Sequence, residues 1–178
     1  METLFQTEQV DVSELYHPPS GIVIRAGVIP FIVKDDQRYY LLGLFHDCAL
    51  TDMGGGCKTS RREKPIDCIL REVSEETDDI TAKVITETLT NKISYLEVWR
   101  QTAKTFSDFG YPFHQKQPGP VYRYYVLLEI NDPKMQLGGP TYKEEVEIYQ
   151  WISSSKIKLM PKERFSLSCQ DFLKRIIS

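Results

Sequence analysis

Apolar residues recur along the chain with two different spacings, and the switch between them predicts its elements. Val121–Ile130, VYRYYVLLEI, is the clearest β-favouring run and predicts a central strand. Gly21–Val33, GIVIRAGVIPFIV, is a second apolar stretch, which Gly27 and Pro30 are expected to interrupt or bend. The Asp35-Asp36-Gln37 turn then leads into Arg38–Phe45 as another strand. Further strands are predicted at Ile80–Glu87, within Asn91–Thr105 and over Glu144–Ile152. Helical spacing occurs twice. Ile66, Ile69, Leu70 and Val73 follow Pro65 at i, i+3, i+4 and i+7, predicting an amphipathic helix that begins at the proline and runs to about Thr77. Phe165, Phe172, Leu173 and Ile176 share one side of a second predicted helix over Arg164–Ile177. Asp47–Lys64 and the aromatic, Gly/Pro-punctuated Phe106–Pro120 read as loops, and Pro133–Pro140 as a turn-rich connection.

Strands on both sides of one helix, with another helix at the end, predict an α/β sandwich built on a mixed, interrupted sheet. Residues 1–20 are polar, end in His17-Pro18-Pro19-Ser20, and read as an N-terminal arm; residues 21–178 read as a single domain. With 41% hydrophobic residues the composition is that of an ordinary globular protein. No apolar run approaches membrane-spanning length, and METLFQTEQVDVSEL lacks the layout of a signal peptide, so the expected location is cytoplasmic, with no membrane partner. Cys48, Cys57, Cys68 and Cys169 form no C-x-x-C pair, which favours reduced, scattered thiols over a zinc site. A net charge of −3 argues against a protein whose main task is gripping nucleic-acid backbones.

The candidate chemistry lies on the first helix. Glu72, Glu75 and Glu76 have i, i+3, i+4 spacing, so they crowd one edge beside the apolar stripe. Carboxylates that close repel each other unless a cation sits among them, and an all-oxygen donor set suits a hard divalent ion. A solvated acidic helix face is the blander account of E-x-x-E-E alone. The glycines Gly54, Gly55 and Gly56, Glu63 at a fixed distance, and Arg71 one turn before Glu75 shift the balance to metal-assisted phosphate chemistry. Lys58, Arg61, Arg62 and Lys64 make the intervening loop basic, either as an ordinary solvated loop or to hold distal phosphates. Arg25 is a candidate phosphate contact, with a surface arginine the commoner case. Phe109, Tyr111, Phe113 and His114 offer a surface for stacking a nucleobase, although local packing is favoured; His46 and His114 are left as ordinary histidines.

Together, Glu63, Arg71-Glu72-Val73 and Glu75-Glu76 stand in the register of the Nudix signature G-x5-E-x7-R-E-U-x-E-E-x-G-U, which this chain resembles over Gly54–Ile80. Cys57 stands at the first glycine, with Gly55-Gly56 just before it; Asp78 stands at the last glycine and Asp79 at the final apolar position. The expectation at Asp78 is a helix C-terminus in the left-handed conformation, which aspartate tolerates at some cost.

The resemblance implies a Nudix-type α/β/α sandwich with a mixed sheet and a loop-helix-loop catalytic motif. It also implies Mg2+, with Mn2+ as a substitute, held by Glu72, Glu75 and Glu76, with Glu63 outside them or on an additional ion, and Glu72 and Glu76 ranked above Glu75. Such an ion withdraws charge from phosphate oxygens and acidifies water. Arg71 would orient the carboxylates, Gly55, Gly56 and Lys58 would border the substrate, and Glu145 is preferred over Glu144 and Glu147 as proton acceptor. The implied reaction is hydrolysis of a diphosphate bond in a nucleoside diphosphate linked to another group. Alternatives are mRNA decapping, the one case in which RNA would be a partner, hydrolysis of diphosphoinositol polyphosphates, and a nucleotide-sensing module without catalysis. A homodimer is compatible with the family.

Overall fold

The computed structural model describes residues 5–45, 49–91, 95–111, 119–131 and 146–176. Its centre is β2 (Ile22–Lys34), which lies parallel to β7 (Val121–Glu129), while every other strand pairing is antiparallel. Around them run β1 (Phe5–Val10), β3 (Gln37–Phe45), β4 (Leu50–Thr51), β5 (Met53–Gly56), β6 (Leu96–Ala103) and β8 (Val146–Ser153). The strand order is β1-β6-β7-β2-β3-β4, with β5 also on β2 and β8 also on β3.

The predicted central strand is central: β7 lies between β6 and β2 and is buried along nearly its whole length. Side chains alternate across the pleat, so Tyr124, Val126 and Leu128 enter one core while Tyr125 and Leu127 enter the other. The first core packs against α1 (Pro65–Glu76) and α2 (Asp79–Thr90) through Ile66, Ile69, Val73, Val84, Ile85 and Leu89. The second packs against α3 (Ser154–Leu159) and α4 (Gln170–Ile176) through Ile157, Phe172 and Leu173. Helices thus cover both faces of the sheet, as the sandwich requires.

Several local expectations change. Within the expected arm, residues 5–10 form an edge strand paired to Val98–Ala103 of β6, and Leu15 in the short helix that follows is buried in the first core. Neither Gly27 nor Pro30 breaks β2, which runs continuously for 13 residues. Residues 25–28 pair with β5 and 31–34 with β3, so Pro30 occupies the fork where that edge changes partner and its missing N–H removes no rung from either ladder. Asp35 and Asp36 both adopt positive φ, 53° and 59°, as a tight hairpin turn between β2 and β3 requires.

The segment predicted as a strand at Ile80–Glu87 is helical. Its Val84, Ile85 and Leu89 recur at helical spacing, and Asp78 caps α2 by accepting from Thr81 N at 2.7 Å. Asp78 is extended (φ −67°, ψ 165°) rather than left-handed, so the glycine of the signature is not needed there. Ile80 is 62% exposed and fills no core position. The loop over Asp47–Lys64 contains the short strands β4 and β5. The C-terminal helix starts later than expected, because Phe165 sits in extended backbone bridged to Leu50 and only Gln170 onward is helical. Among the described residues, no helix is long and apolar enough to cross a membrane.

Candidate functional site

Strand β5 runs beside β2 and delivers the glycines under α1. Gly27 must lack a side chain, since a Cβ there would stand 1.9 Å from Asp52 Oδ2. Gly55 must lack one because a Cβ would meet Glu72 Oε1 at 2.5 Å. The Glu72 carboxylate therefore lies directly on the glycine backbone. The helix begins at Pro65, as the sequence indicated, and its apolar stripe is buried. That packing fixes the rotation of the acidic edge: Glu72 and Glu76 turn inward and are only 8% and 7% exposed, whereas Glu75 is exposed at the rim.

Arg71 organises one side of this edge. Its Nε and one terminal nitrogen donate to the two oxygens of Glu63, each at 3.0 Å. The same terminal nitrogen reaches the Gly56 carbonyl at 2.8 Å, and the other donates to Glu72 at 3.0 Å and to Glu75 at 3.3 Å. Glu63 also accepts from the Lys58 backbone N–H at 2.9 Å. Hydrogen bonding to Arg71 holds Glu63 below the usual carboxylate range. Loop and helix are thereby tied together through a two-pronged ion pair. Glu63 thus accepts both prongs of Arg71 at the margin of the Glu72–Glu76 pair.

On the other side, burial outweighs the positive charge that the described residues supply. Burial pushes the Glu76 carboxyl up to about 8, and neighbouring Glu72 and Asp52 push in the same direction. Glu72 is also raised, chiefly by burial, despite its bond to Arg71. Tyr149 on β8 donates to Glu76 at 3.3 Å. Glu75 and Glu76 also end a helix with no basic residue in its last turn, where the helix dipole disfavours anions. Two inward carboxylates against a glycine backbone, raised by burial and mutual repulsion, are a donor set that a hard divalent cation fits.

Beneath them lies a pair that the sequence did not announce. Arg25 is buried, and its two terminal nitrogens grip Asp52 Oδ2 at 2.8 Å and Oδ1 at 2.5 Å. Arg25 is consequently neither a surface arginine nor free to hold a phosphate in this arrangement, because both prongs are committed. Asp52 is fully buried and adds negative charge behind Glu76. No spacing rule pointed to Asp52 or Tyr149; an acidic residue immediately ahead of Met53-Gly54-Gly55-Gly56 was the only available sign.

Lys58, Arg61, Arg62 and Lys64 are all exposed on the loop entering α1. Phe109 packs on Phe5 at 5.2 Å and under the Arg123 guanidinium at 4.0 Å, the local-packing alternative rather than an open stacking platform. Glu144, Glu145, His46, Phe113 and His114 lie outside the described residues, as does the side chain of Glu147.

Neither a scan against protein-family models nor a search of curated proteins finds a match. Solved structures do match. The NUDIX domain of Shewanella oneidensis NrtR, solved with ADP ribose, aligns with TM-score 0.51 and 13% identity over 93% of this chain and 96% of that one. The E. coli dihydroneopterin triphosphate pyrophosphohydrolase aligns with TM-score 0.49 and 16% identity, covering 88% of this chain and 98% of that one. A C. elegans Ap4A hydrolase binary complex gives 0.47 and 16%, covering 85% and 95%. The first of these matches establishes the fold the signature implied: the chain has the Nudix fold, a mixed sheet between helical layers.

Proposed function

We propose that this chain of Nudix fold is a divalent-cation-dependent pyrophosphohydrolase, cleaving a diphosphate bond in a nucleoside diphosphate linked to another group. The observation that carries the reading is the inward pair Glu72 and Glu76, the first lying on the Gly55 backbone and both raised chiefly by burial. Burying two carboxylates side by side with a single shared arginine and one tyrosine hydroxyl is costly, and a fold that does so at a glycine-lined surface has a use for an ion there. Glu72 and Glu76 would hold Mg2+ or Mn2+, with exposed Glu75 at its margin. When bound, the ion neutralises phosphate oxygens and acidifies water.

The protein's own groups do the positioning. Arg71 fixes the Glu72 rotamer and, through Gly56, the loop that borders the substrate. Tyr149 hydrogen-bonds to Glu76 from β8, and the buried Arg25–Asp52 pair sets the field behind it. Exposed Lys58, with Arg61, Arg62 and Lys64, faces solvent beside the site and suits a polyanionic substrate. Glu145 stands one residue before β8, the strand that lays Tyr149 on Glu76, and is the proton acceptor in this reading. The exposed basic loop is also what favours the second reading, a more highly phosphorylated substrate such as a capped RNA end or a diphosphoinositol.

The test is phosphate-product analysis on ADP-ribose, a nucleotide sugar, a dinucleoside polyphosphate, nucleoside triphosphates, capped RNA and a diphosphoinositol, with and without magnesium. Magnesium-dependent cleavage of a diphosphate bond supports the proposal, and the preferred compound names the second group. Tight nucleotide binding with no cleavage of any compound would replace it with the sensing module.

A further inference from the structure

Cys57, Glu63 and Cys68 come from three separate places, the end of β5, the basic loop and the first turns of α1, yet their ligand atoms all lie within 4.8 Å of one another. Cys68 is fully buried and Cys57 partly so. The Cys68 thiol contacts the Gly55 carbonyl at 3.6 Å, and its sulfur lies within 4.8 Å of both the Cys57 sulfur and a Glu63 carboxylate oxygen. The sequence had suggested scattered thiols; folding brings two of the four together.

We propose that Cys57, Cys68 and Glu63 form a second cation site, selective for a thiophilic divalent ion of the zinc class and separate from the all-oxygen pair Glu72 and Glu76. Donor chemistry divides the two sites: sulfur ligands select zinc or cadmium, and oxygen ligands select magnesium. The spacing is suitable. Tetrahedral coordination with Zn–S near 2.3 Å and Zn–O near 2.0 Å places two sulfurs about 3.8 Å apart and sulfur about 3.5 Å from oxygen, so from separations of at most 4.8 Å the sulfurs close by about 1.0 Å at most and sulfur and oxygen by about 1.3 Å at most. Glu63 keeps a lone pair for the ion, because Oε2 accepts from Arg71 Nε while Oε1 takes the other Arg71 prong and Lys58 N–H. Charge balances as well: two thiolates and a carboxylate carry three negative charges, offset by the ion's two and by the Arg71 guanidinium, which lies 4.0 Å from Cys68 Sγ. Binding releases the two thiol protons to solvent and changes no oxidation state. The fourth position would be taken by water, since Cys57 adjoins exposed Gly56 and Lys58. An ion there would clip the signature loop to α1.

The experiment uses the reduced full-length chain, stripped with chelator and titrated with cadmium or cobalt in excess magnesium, without substrate. One equivalent should produce a thiolate-to-metal charge-transfer band of two-sulfur intensity that magnesium leaves unaffected, and zinc should displace the cobalt form. Cys57→Ser should remove about half the band and weaken uptake by more than the 10–100-fold typical of losing an outer partner of a metal site. Cys169→Ala should leave the band intact. Absence of the band with free thiols verified, or a band of undiminished intensity in Cys57→Ser, overturns the site. Cys57 is only partly buried, so its variant remains informative even if Cys68→Ser fails to fold. Because no turnover is measured, the result is independent of the hydrolase reading.

Discussion

Glu63 and Glu76 stand at opposite ends of the same loop-helix segment and carry the same side chain, yet their surroundings drive them in opposite directions. Glu63 receives both prongs of Arg71 and the Lys58 N–H, and its carboxyl is held below the ordinary range. Glu76 is buried beside Glu72 and Asp52, accepts a bond from Tyr149, and is pushed up to about 8. The first is a carboxylate whose charge Arg71 already matches, so it braces the loop against the helix with or without a further ion. The second is a carboxylate whose charge the fold opposes, and such a group persists where something outside the chain completes it. Removing the charge from each therefore separates architecture from chemistry.

Glu76→Gln gives the largest expected effect. Size is kept and a charged ligand is lost, so magnesium-dependent turnover should fall at least about 100-fold, while metal-free protein at pH 8 should gain stability on the order of 1 kcal/mol because a buried like charge is gone. Steady-state kinetics and denaturant unfolding check the two halves; near-normal turnover would remove Glu76 from the site. Glu63→Gln is the mirror image. It weakens the ion pair with Arg71, so stability should drop by about 1–3 kcal/mol. If both variants shift stability in the same direction, the contrast between the two carboxylates is wrong.

The parts of this contrast that depend on short-range spacing were legible in the sequence. Pro65, the stripe Ile66, Ile69, Leu70, Val73 and the register of Glu72, Glu75 and Glu76 indicate the helix and its acidic edge, and burial divides that edge into inward Glu72 and Glu76 and exposed Glu75. What required three dimensions was illegible. Asp52 reaches Arg25 across 27 residues and Tyr149 reaches Glu76 across 73, and no periodicity encodes such pairs. Residues 80–87 misled because β-branched Ile80, Val84 and Ile85 resemble a strand by composition, whereas the Asp78 cap and burial at Val84, Ile85 and Leu89 make a helix. The edge strand at residues 5–10 was hidden by its polar side chains, which a strand paired on one side and half open to water tolerates.

The pH dependence of stability sharpens the comparison further. The native state holds the Glu76 proton more tightly than the unfolded chain, so between the ordinary carboxyl value of 4.5 and about 8 it binds more protons and becomes less stable as pH rises. Glu72, raised in the same direction, adds to the slope. Glu63 acts oppositely, but its contribution is complete above the ordinary carboxyl value and is lost only as pH falls through its lowered one. Metal-free protein should therefore lose on the order of 1–3 kcal/mol from pH 5 to pH 8, and saturating magnesium should abolish most of that loss. Thermal melts across this range measure it. A melting curve equally pH-dependent with and without magnesium would place the titration elsewhere.

Tyr149→Phe is the finest test, because it touches only one contact of the unmatched carboxylate. At 3.3 Å the Tyr149 hydroxyl makes a long hydrogen bond to Glu76 that favours the ionised form. Losing it should cost about 0.5–1 kcal/mol, expressed as an apparent magnesium affinity two- to five-fold weaker and an acidic limb of the pH–rate profile moved upward by a few tenths of a unit. The two readouts must move together, since both report how readily Glu76 carries its charge. An unchanged pH profile with a lower melting temperature would mean that Tyr149 supports β8 and the core, leaving burial and repulsion to set Glu76 without help from β8.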